Sequence, residues 1–96
     1  MGNYMQKPGL IFFHSATSGR CRRMEGFVAQ VLQRRRNHDT FQYYKVANEK
    51  RPDLLEKFGI AVIPTLVVLE NRRISAALEG PRGCNEIESF LAPWLQ

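Results

Sequence analysis

Cysteine is scarce in this chain: there are two in 96 residues, and they lie far apart at Cys21 and Cys84. Two cysteines cannot build the dense disulfide framework of small secreted domains, and two thiolates alone cannot complete a tetrahedral zinc site. We therefore expect two free thiols, no metal site and no cofactor.

Long apolar runs are also missing. No run approaches the roughly 20 residues that a membrane-spanning helix needs, and the polar segment 1–9 lacks the pattern of a signal peptide. We therefore expect a cytoplasmic protein with no membrane partner. Acidic residues are outnumbered by basic ones, nine to fourteen, which gives a net charge of +5. A basic surface favours anionic partners, although it also keeps a small protein soluble.

The apolar pattern predicts one α/β domain over residues 1–96, preceded by a loosely ordered lead-in at residues 1–9. Short apolar runs indicate strands, and apolar residues at intervals of three and four indicate helices. The predicted strands span residues 10–14, 41–47, 65–69 and 74–78, and the predicted helices span about 20–36, 52–58 and 84–94. The first strand is apolar on both faces, as in a central strand covered on both sides.

Two sequence motifs follow one another along the chain. Residues 10–23, L-I-F-F-H-S-A-T-S-G-R-C-R-R, form a strand that runs through a turn into a helix, and residues 57–65 are K-F-G-I-A-V-I-P-T. With the E-G that ends the last strand, this pattern resembles the thioredoxin superfamily. The resemblance implies a trimmed thioredoxin-like fold, β-α-β-α-β-β-α, with a four-stranded mixed sheet flanked by three helices.

The resemblance also implies a site. In the family, the counterpart of Pro64 follows a cis peptide bond, and the main chain of the preceding residue pairs with an extended peptide. Ile63, Pro64, Gly80 and Arg20 are therefore the predicted peptide-binding residues. A plainer alternative is that Pro64 only begins an edge strand.

The chain departs from the family at the catalytic motif. The family has Cys-x-x-Cys, in which the first thiolate attacks and the second resolves, whereas this chain has Ser18 and Cys21. A serine hydroxyl cannot replace a thiolate in disulfide exchange. Phe12 also stands where many thioredoxins have a buried acid, and it can do no acid–base work. We predict no efficient dithiol disulfide reduction.

Each candidate residue has a plainer alternative. Cys21, the candidate catalytic thiol, is either a reactive monothiol favoured by the helix N-terminus and nearby arginines, or a buried cysteine that packs as a small hydrophobe. Ser18 is better suited to capping the helix than to binding an anion. His14 is a candidate base for Cys21, or a strand-end histidine without a role. Cys84 is an incidental thiol.

Two functional hypotheses remain open. In the first, the chain is a thioredoxin-like protein with a single-cysteine redox motif, and Cys21 exchanges with a low-molecular-weight thiol or a client protein. In the second, it is a non-catalytic binding or chaperone-like module that docks an extended peptide or an acidic partner at the Pro64 groove. Nucleic acid ranks last as a partner, because no aromatic residues interleave with the arginines as a base-stacking platform.

Overall fold

A computed structural model describes residues 7–95, and within that range it describes only the backbone of Arg35, Arg36 and His38. The elements follow the predicted order, with one additional 3-10 helix after the first α-helix. They are β1 (Gly9–His14), α1 (Gly19–Gln33), the 3-10 helix (Arg34–Asp39), β2 (Gln42–Ala47), α2 (Pro52–Lys57), β3 (Thr65–Glu70), β4 (Arg73–Glu79) and α3 (Cys84–Leu91).

The four strands form one mixed sheet in the order β2-β1-β3-β4. β1 and β2 are parallel, while β3 is antiparallel to both β1 and β4. β1 is therefore a central strand, and its residues 10–13 are all buried, as the apolar run predicts. The predicted fold class, a four-stranded mixed sheet flanked by three helices, is confirmed.

Alternate residues of β1 point to opposite faces of the sheet, so the strand contributes to two cores. The larger core lies between the sheet, α1 and α3, and contains Leu10, Phe12, Met24, Val28, Val31, Leu32, Phe41, Leu66, Val68, Ile87 and Leu91. The smaller core lies under α2 and contains Ile11, Phe13, Val46, Leu55 and Val67. α1 and α3 thus cover one face of the sheet, and α2 covers the other.

The first helix ends earlier than predicted. α1 stops at Gln33 instead of continuing to Arg36, and the chain goes on as the 3-10 helix. The buried Asn37 explains the change, because its Nδ2 donates to the carbonyl of Arg34 at 2.9 Å and its Oδ1 accepts from the Thr40 hydroxyl at 2.8 Å. These local side-chain bonds compete with the α-helical ladder.

The last helix also ends early, at Leu91 instead of Trp94. Pro93 lacks the N–H that would continue the α-helical ladder. Ala92 before it still has helical φ and ψ (−49° and −39°), but the chain then closes in a tighter turn, in which the Trp94 N–H donates to the Leu91 carbonyl at 2.9 Å. The β3–β4 hairpin turns where predicted: Asn71 and Arg72 both have positive φ (55° and 67°), as the two central residues of a type I′ turn require.

The start of the chain lies partly outside the described residues. Of the predicted lead-in at residues 1–9, residues 1–6 are outside. Gly9 already belongs to β1, paired with Gln42 on one side and Leu69 on the other. None of the helices in residues 7–95 is long and apolar enough to span a bilayer.

Candidate functional site

Ser18 begins helix α1 as its N-cap. Its backbone is extended (φ −93°, ψ 121°), and its Oγ accepts a hydrogen bond from the backbone N–H of Cys21 at 3.1 Å. An N-cap hydroxyl satisfies one of the donors that the first turn of a helix leaves unpaired. The predicted capping role of Ser18 is confirmed by this contact.

The sulfur of Cys21 is buried. The residue is 2% exposed, and its Sγ accepts a hydrogen bond from the backbone N–H of Ser15 at 3.4 Å. The backbone of the turn before α1 therefore contacts the sulfur, and almost none of the residue reaches solvent. Of the two alternatives for Cys21, the geometry favours the buried cysteine.

An acidic residue that the sequence did not single out holds this turn in place. The Glu49 carboxylate accepts from the Ser15 hydroxyl through Oε2 and from the Ala16 N–H through Oε1, the latter at 3.0 Å. These two hydrogen bonds, the first being the stronger influence, hold the pKa of Glu49 below its usual value. The sequence offered one indication that Glu49 lies near Ser15. Each residue follows a strand of a predicted parallel pair, and the loops after parallel strands meet at one edge of the sheet.

The segment 60–64 leads into β3 and is exposed at Ala61 and Val62. The Ile63–Pro64 peptide bond is cis, and the Pro64 carbonyl accepts from the Gly80 N–H at 2.8 Å. The Val62 carbonyl accepts from the Thr65 hydroxyl at 2.6 Å. The main-chain N–H and C=O of Ile63, by contrast, bond to nothing within residues 7–95. Both groups are therefore free to pair with another chain.

Gly80 joins this segment to the start of α1. Arg20 Nη2 donates to the Gly80 carbonyl at 3.5 Å, and a Cβ built on Gly80 would lie 3.6 Å from Val62 Cγ1. Gly80 also has a positive φ of 56°, so a side chain there would be strained as well as close to Val62. The structure thus brings together Arg20, Pro64 and Gly80, all predicted from the sequence, although Arg20 points to the Gly80 carbonyl.

Two shallow depressions include residues of this region, one at Arg20 and the other at Ile63. One, of about 590 Å³, lies on the α1 and α3 side and is lined by Gly19, Arg20, Arg23, Met24 and Arg82. The other, of about 690 Å³, lies on the α2 side and includes Glu56, Ile60, Ala61 and Ile63. No sequence motif indicated Arg82, because only folding brings this residue, which follows β4, next to α1.

Two other candidates take no part in this arrangement. The His14 ring stacks on Phe12, with ring centroids 5.5 Å apart, and the hydrogen bond to the Cys21 sulfur comes from Ser15 instead. Cys84 Sγ accepts from Arg34 Nη2 at 3.6 Å. Arg34 follows the C-terminal end of α1, whereas Cys21 lies in the first turn of α1, about 20 Å away along the helix. Both cysteines are free. Within the described ranges, no three His, Cys, Asp or Glu side chains gather as metal ligands.

Comparisons with known proteins agree with this architecture. The family model described as Thioredoxin matches residues 3–93. A thioredoxin from Alicyclobacillus acidocaldarius is 30% identical over 90 residues, covering 94% of this chain and 84% of that protein.

Solved structures show the same fold at lower identity. The oxidised thioredoxin of Plasmodium falciparum has a TM-score of 0.81 at 18% identity, covering 95% of this chain and 84% of that one. Thioredoxin O2 of Arabidopsis thaliana, in its oxidised state, has a TM-score of 0.79 at 17% identity, covering 94% of this chain and 76% of that one.

Proposed function

This chain belongs to the thioredoxin family, and we propose that it serves as a peptide-binding module that does not reduce disulfides by the dithiol route. The observation that carries the proposal is the burial of Cys21, the one sulfur of the motif, which is 2% exposed. The main-chain N–H and C=O of Ile63, which bond to nothing within residues 7–95, support the binding role. On this proposal the chain keeps a surface for a peptide and cannot carry out two-thiol disulfide exchange.

Dithiol reduction needs two sulfurs in sequence. An exposed thiolate attacks the substrate disulfide and forms a mixed disulfide, and a second thiolate then attacks that bond and releases the reduced substrate. Ser18 offers a hydroxyl for the first step, and this hydroxyl accepts the Cys21 N–H as the helix cap. Cys21 has no partner sulfur in the motif with which to complete the second step.

Peptide binding, by contrast, needs only the unpaired main-chain groups of Ile63. An extended peptide that lies along residues 61–63 would accept from the Ile63 N–H and donate to its C=O, which is β-augmentation at a single residue. Val62, 41% exposed, offers an apolar contact beside it. Burial of such an exposed side chain contributes roughly 25 cal/mol for each Å² removed from water.

The test is the binding of a fluorescein-labelled extended peptide with a central Val-Leu-Val segment, measured by fluorescence anisotropy. We expect saturable binding that N-methylation of the central amides abolishes, because N-methyl groups remove peptide donors while they keep the side chains. Val62→Ser should weaken binding, and Ile74→Ser is the matched control, since Ile74 is similarly exposed (47%) at the far end of the sheet. Equal binding of the N-methylated peptide would overturn the proposal.

Monothiol exchange is the second candidate, favoured by the hydrogen bond from Ser15 N–H to Cys21 Sγ, which places a polar donor at the sulfur. In that reaction the Cys21 thiolate would attack a small disulfide, form a mixed disulfide and release the other sulfur as a thiolate. Free thiols at Cys21 and Cys84 suit the reducing cytoplasm, which we propose as the protein's compartment.

Mass spectrometry after exposure to oxidised glutathione separates the two candidates. In a Cys84→Ser background, the binding hypothesis predicts that Cys21 is modified only as fast as the protein unfolds. Modification of the native protein at the rate of an exposed thiol would favour monothiol exchange.

A further inference from the structure

We propose that the peptide bound at the Ile63 edge is acidic, and that Arg20, Arg23 and Arg82 bind its carboxylates. The inference rests on the proposed function, because it names the class of peptide that the same edge takes. It adds Arg82, a residue that lies outside the sequence motifs, to the site.

The three arginines come from two parts of the chain. Arg20 and Arg23 lie one turn apart on α1, and Arg82 precedes α3; all three are exposed and line the same depression of about 590 Å³. Three positive charges around one concave surface repel each other, and an anion between them relieves that repulsion. The depression is therefore complementary to negative charge.

None of the three guanidinium groups is neutralised by a carboxylate within residues 7–95. Glu86, four residues after Arg82, accepts from the Arg82 backbone N–H at 2.8 Å. Arg34 behaves differently, since its Nη1 lies 2.6 Å from Glu88 Oε1. The depression thus keeps donors that match the planar geometry of a carboxylate.

Two hydrogen bonds through Gly80 connect Arg20, which lines the depression, to Pro64 at the binding edge. Arg20 Nη2 donates to the Gly80 carbonyl, and the Gly80 N–H donates to the Pro64 carbonyl. An extended peptide rises about 3.3 Å per residue. A peptide anchored on Ile63 therefore places side chains in the arginine depression within a few residues.

Charge also fixes the direction of the peptide. The depression on the α2 side carries Glu56 next to Ile60 and Ile63. Like charges across an interface disfavour a pose, and opposite charges favour it. The acidic end of the peptide is therefore expected over Arg20 and Arg82, and its apolar end over the α2 side.

The experiment compares two labelled peptides by fluorescence anisotropy at low salt. Both contain the Val-Leu-Val segment; one continues with three glutamates and the other with three glutamines. We expect the glutamate peptide to bind about tenfold tighter, and each of Arg20→Gln, Arg23→Gln and Arg82→Gln to weaken it about two- to fivefold, the range for exposed ion pairs. The preference should fade as salt is added.

Arg73→Gln is the matched control, because it removes the same charge at the hairpin end of the sheet, where Arg73 pairs with Glu70 across the β3–β4 ladder. It should leave binding of the glutamate peptide within error of the unchanged protein. Circular dichroism of each variant checks the fold, which exposed arginine substitutions should not disturb.

The outcomes separate this inference from the proposed function. If both peptides bind equally and the arginine variants have no effect, the peptide edge stands and the acidic specificity is wrong. If neither peptide binds, both proposals are wrong. If inorganic phosphate or a single-stranded oligonucleotide binds the arginines more tightly than the glutamate peptide does, the acidic-peptide assignment is overturned.

Discussion

Ser18→Cys supplies the second sulfur that the motif lacks, and its effect on stability follows from one contact. The Ser18 hydroxyl accepts the Cys21 N–H at 3.1 Å as the cap of α1. Loss of such a cap costs about 0.5–2 kcal/mol, typically about 1 kcal/mol. In a domain of this size 1 kcal/mol corresponds to roughly 4–8 °C in Tm. The reduced variant should therefore melt about 4–8 °C below the unchanged protein.

Oxidation of the variant should reverse this loss. A disulfide between positions 18 and 21 closes a very short loop, for which the chain-entropy relation gives about 2 kcal/mol at 25 °C. The oxidised variant should therefore melt roughly 8–16 °C above its own reduced form. Position 18 is half-buried and Cys21 is buried, so the bond would be partly buried in the first turn of α1.

The assay is thermal unfolding by circular dichroism with and without dithiothreitol, together with turnover of insulin disulfides. Ser18→Ala is the control: it should lower Tm by the same amount in both conditions, because it removes the cap and adds no sulfur. The unchanged protein should show no insulin turnover, and Ser18→Cys should gain it. The reasoning is refuted if the unchanged protein reduces insulin at thioredoxin-like rates, or if the Tm of Ser18→Cys does not depend on reductant.

Three further predictions concern stability. The Tyr43 hydroxyl is buried without a hydrogen-bond partner within residues 7–95, and burial, together with the nearby Glu25 charge, raises the pKa of Tyr43. Tyr43→Phe removes this unpaired hydroxyl and should therefore raise the unfolding free energy by about 1 kcal/mol. A fall in Tm would contradict this. Hydrogen bonds from Ser15 and Ala16 hold the pKa of Glu49 below its usual value. Its contribution to stability is therefore present above about pH 4.3 and is lost as the pH falls through the lower folded-state pKa. Glu49→Gln should flatten the Tm profile below about pH 4.3, and an unchanged profile would contradict this. Ile87 is 0% exposed, so Ile87→Ala should lower the free energy of unfolding, measured in urea, by about 2–5 kcal/mol. Ile74→Ala, at the exposed hairpin end, should lower it by less than about 0.5 kcal/mol.

Local patterns identified most of the fold. The apolar run of β1 predicted a central strand, and residues 10–13 are buried on both faces of the sheet. The errors lie at helix ends, where short-range contacts decide. The side chain of Asn37 ends α1 early by bonding to the Arg34 carbonyl, and Pro93 does the same for α3. The Pro93 effect was available from the sequence, whereas the burial of Asn37 was not.

In the site, too, local features could be predicted from the sequence and long-range contacts could not. Ser18 could be predicted as a cap, because the preference of serine for that position is local. The hydrogen bond between Glu49 and Ser15 joins two loops that are 34 residues apart, and Arg82 reaches the start of α1 only through the path of the sheet. No local propensity encodes such contacts.

The sequence by itself determined that one sulfur remains in a two-sulfur motif, because residue identity alone settles how many thiolates the site can supply. Only the tertiary structure decided that this sulfur is covered, because burial depends on which distant backbone groups pack around Cys21. The same holds for the arginine depression: charges that are ordinary along the chain become a concave surface only when α1 and the segment before α3 meet on one face of the sheet.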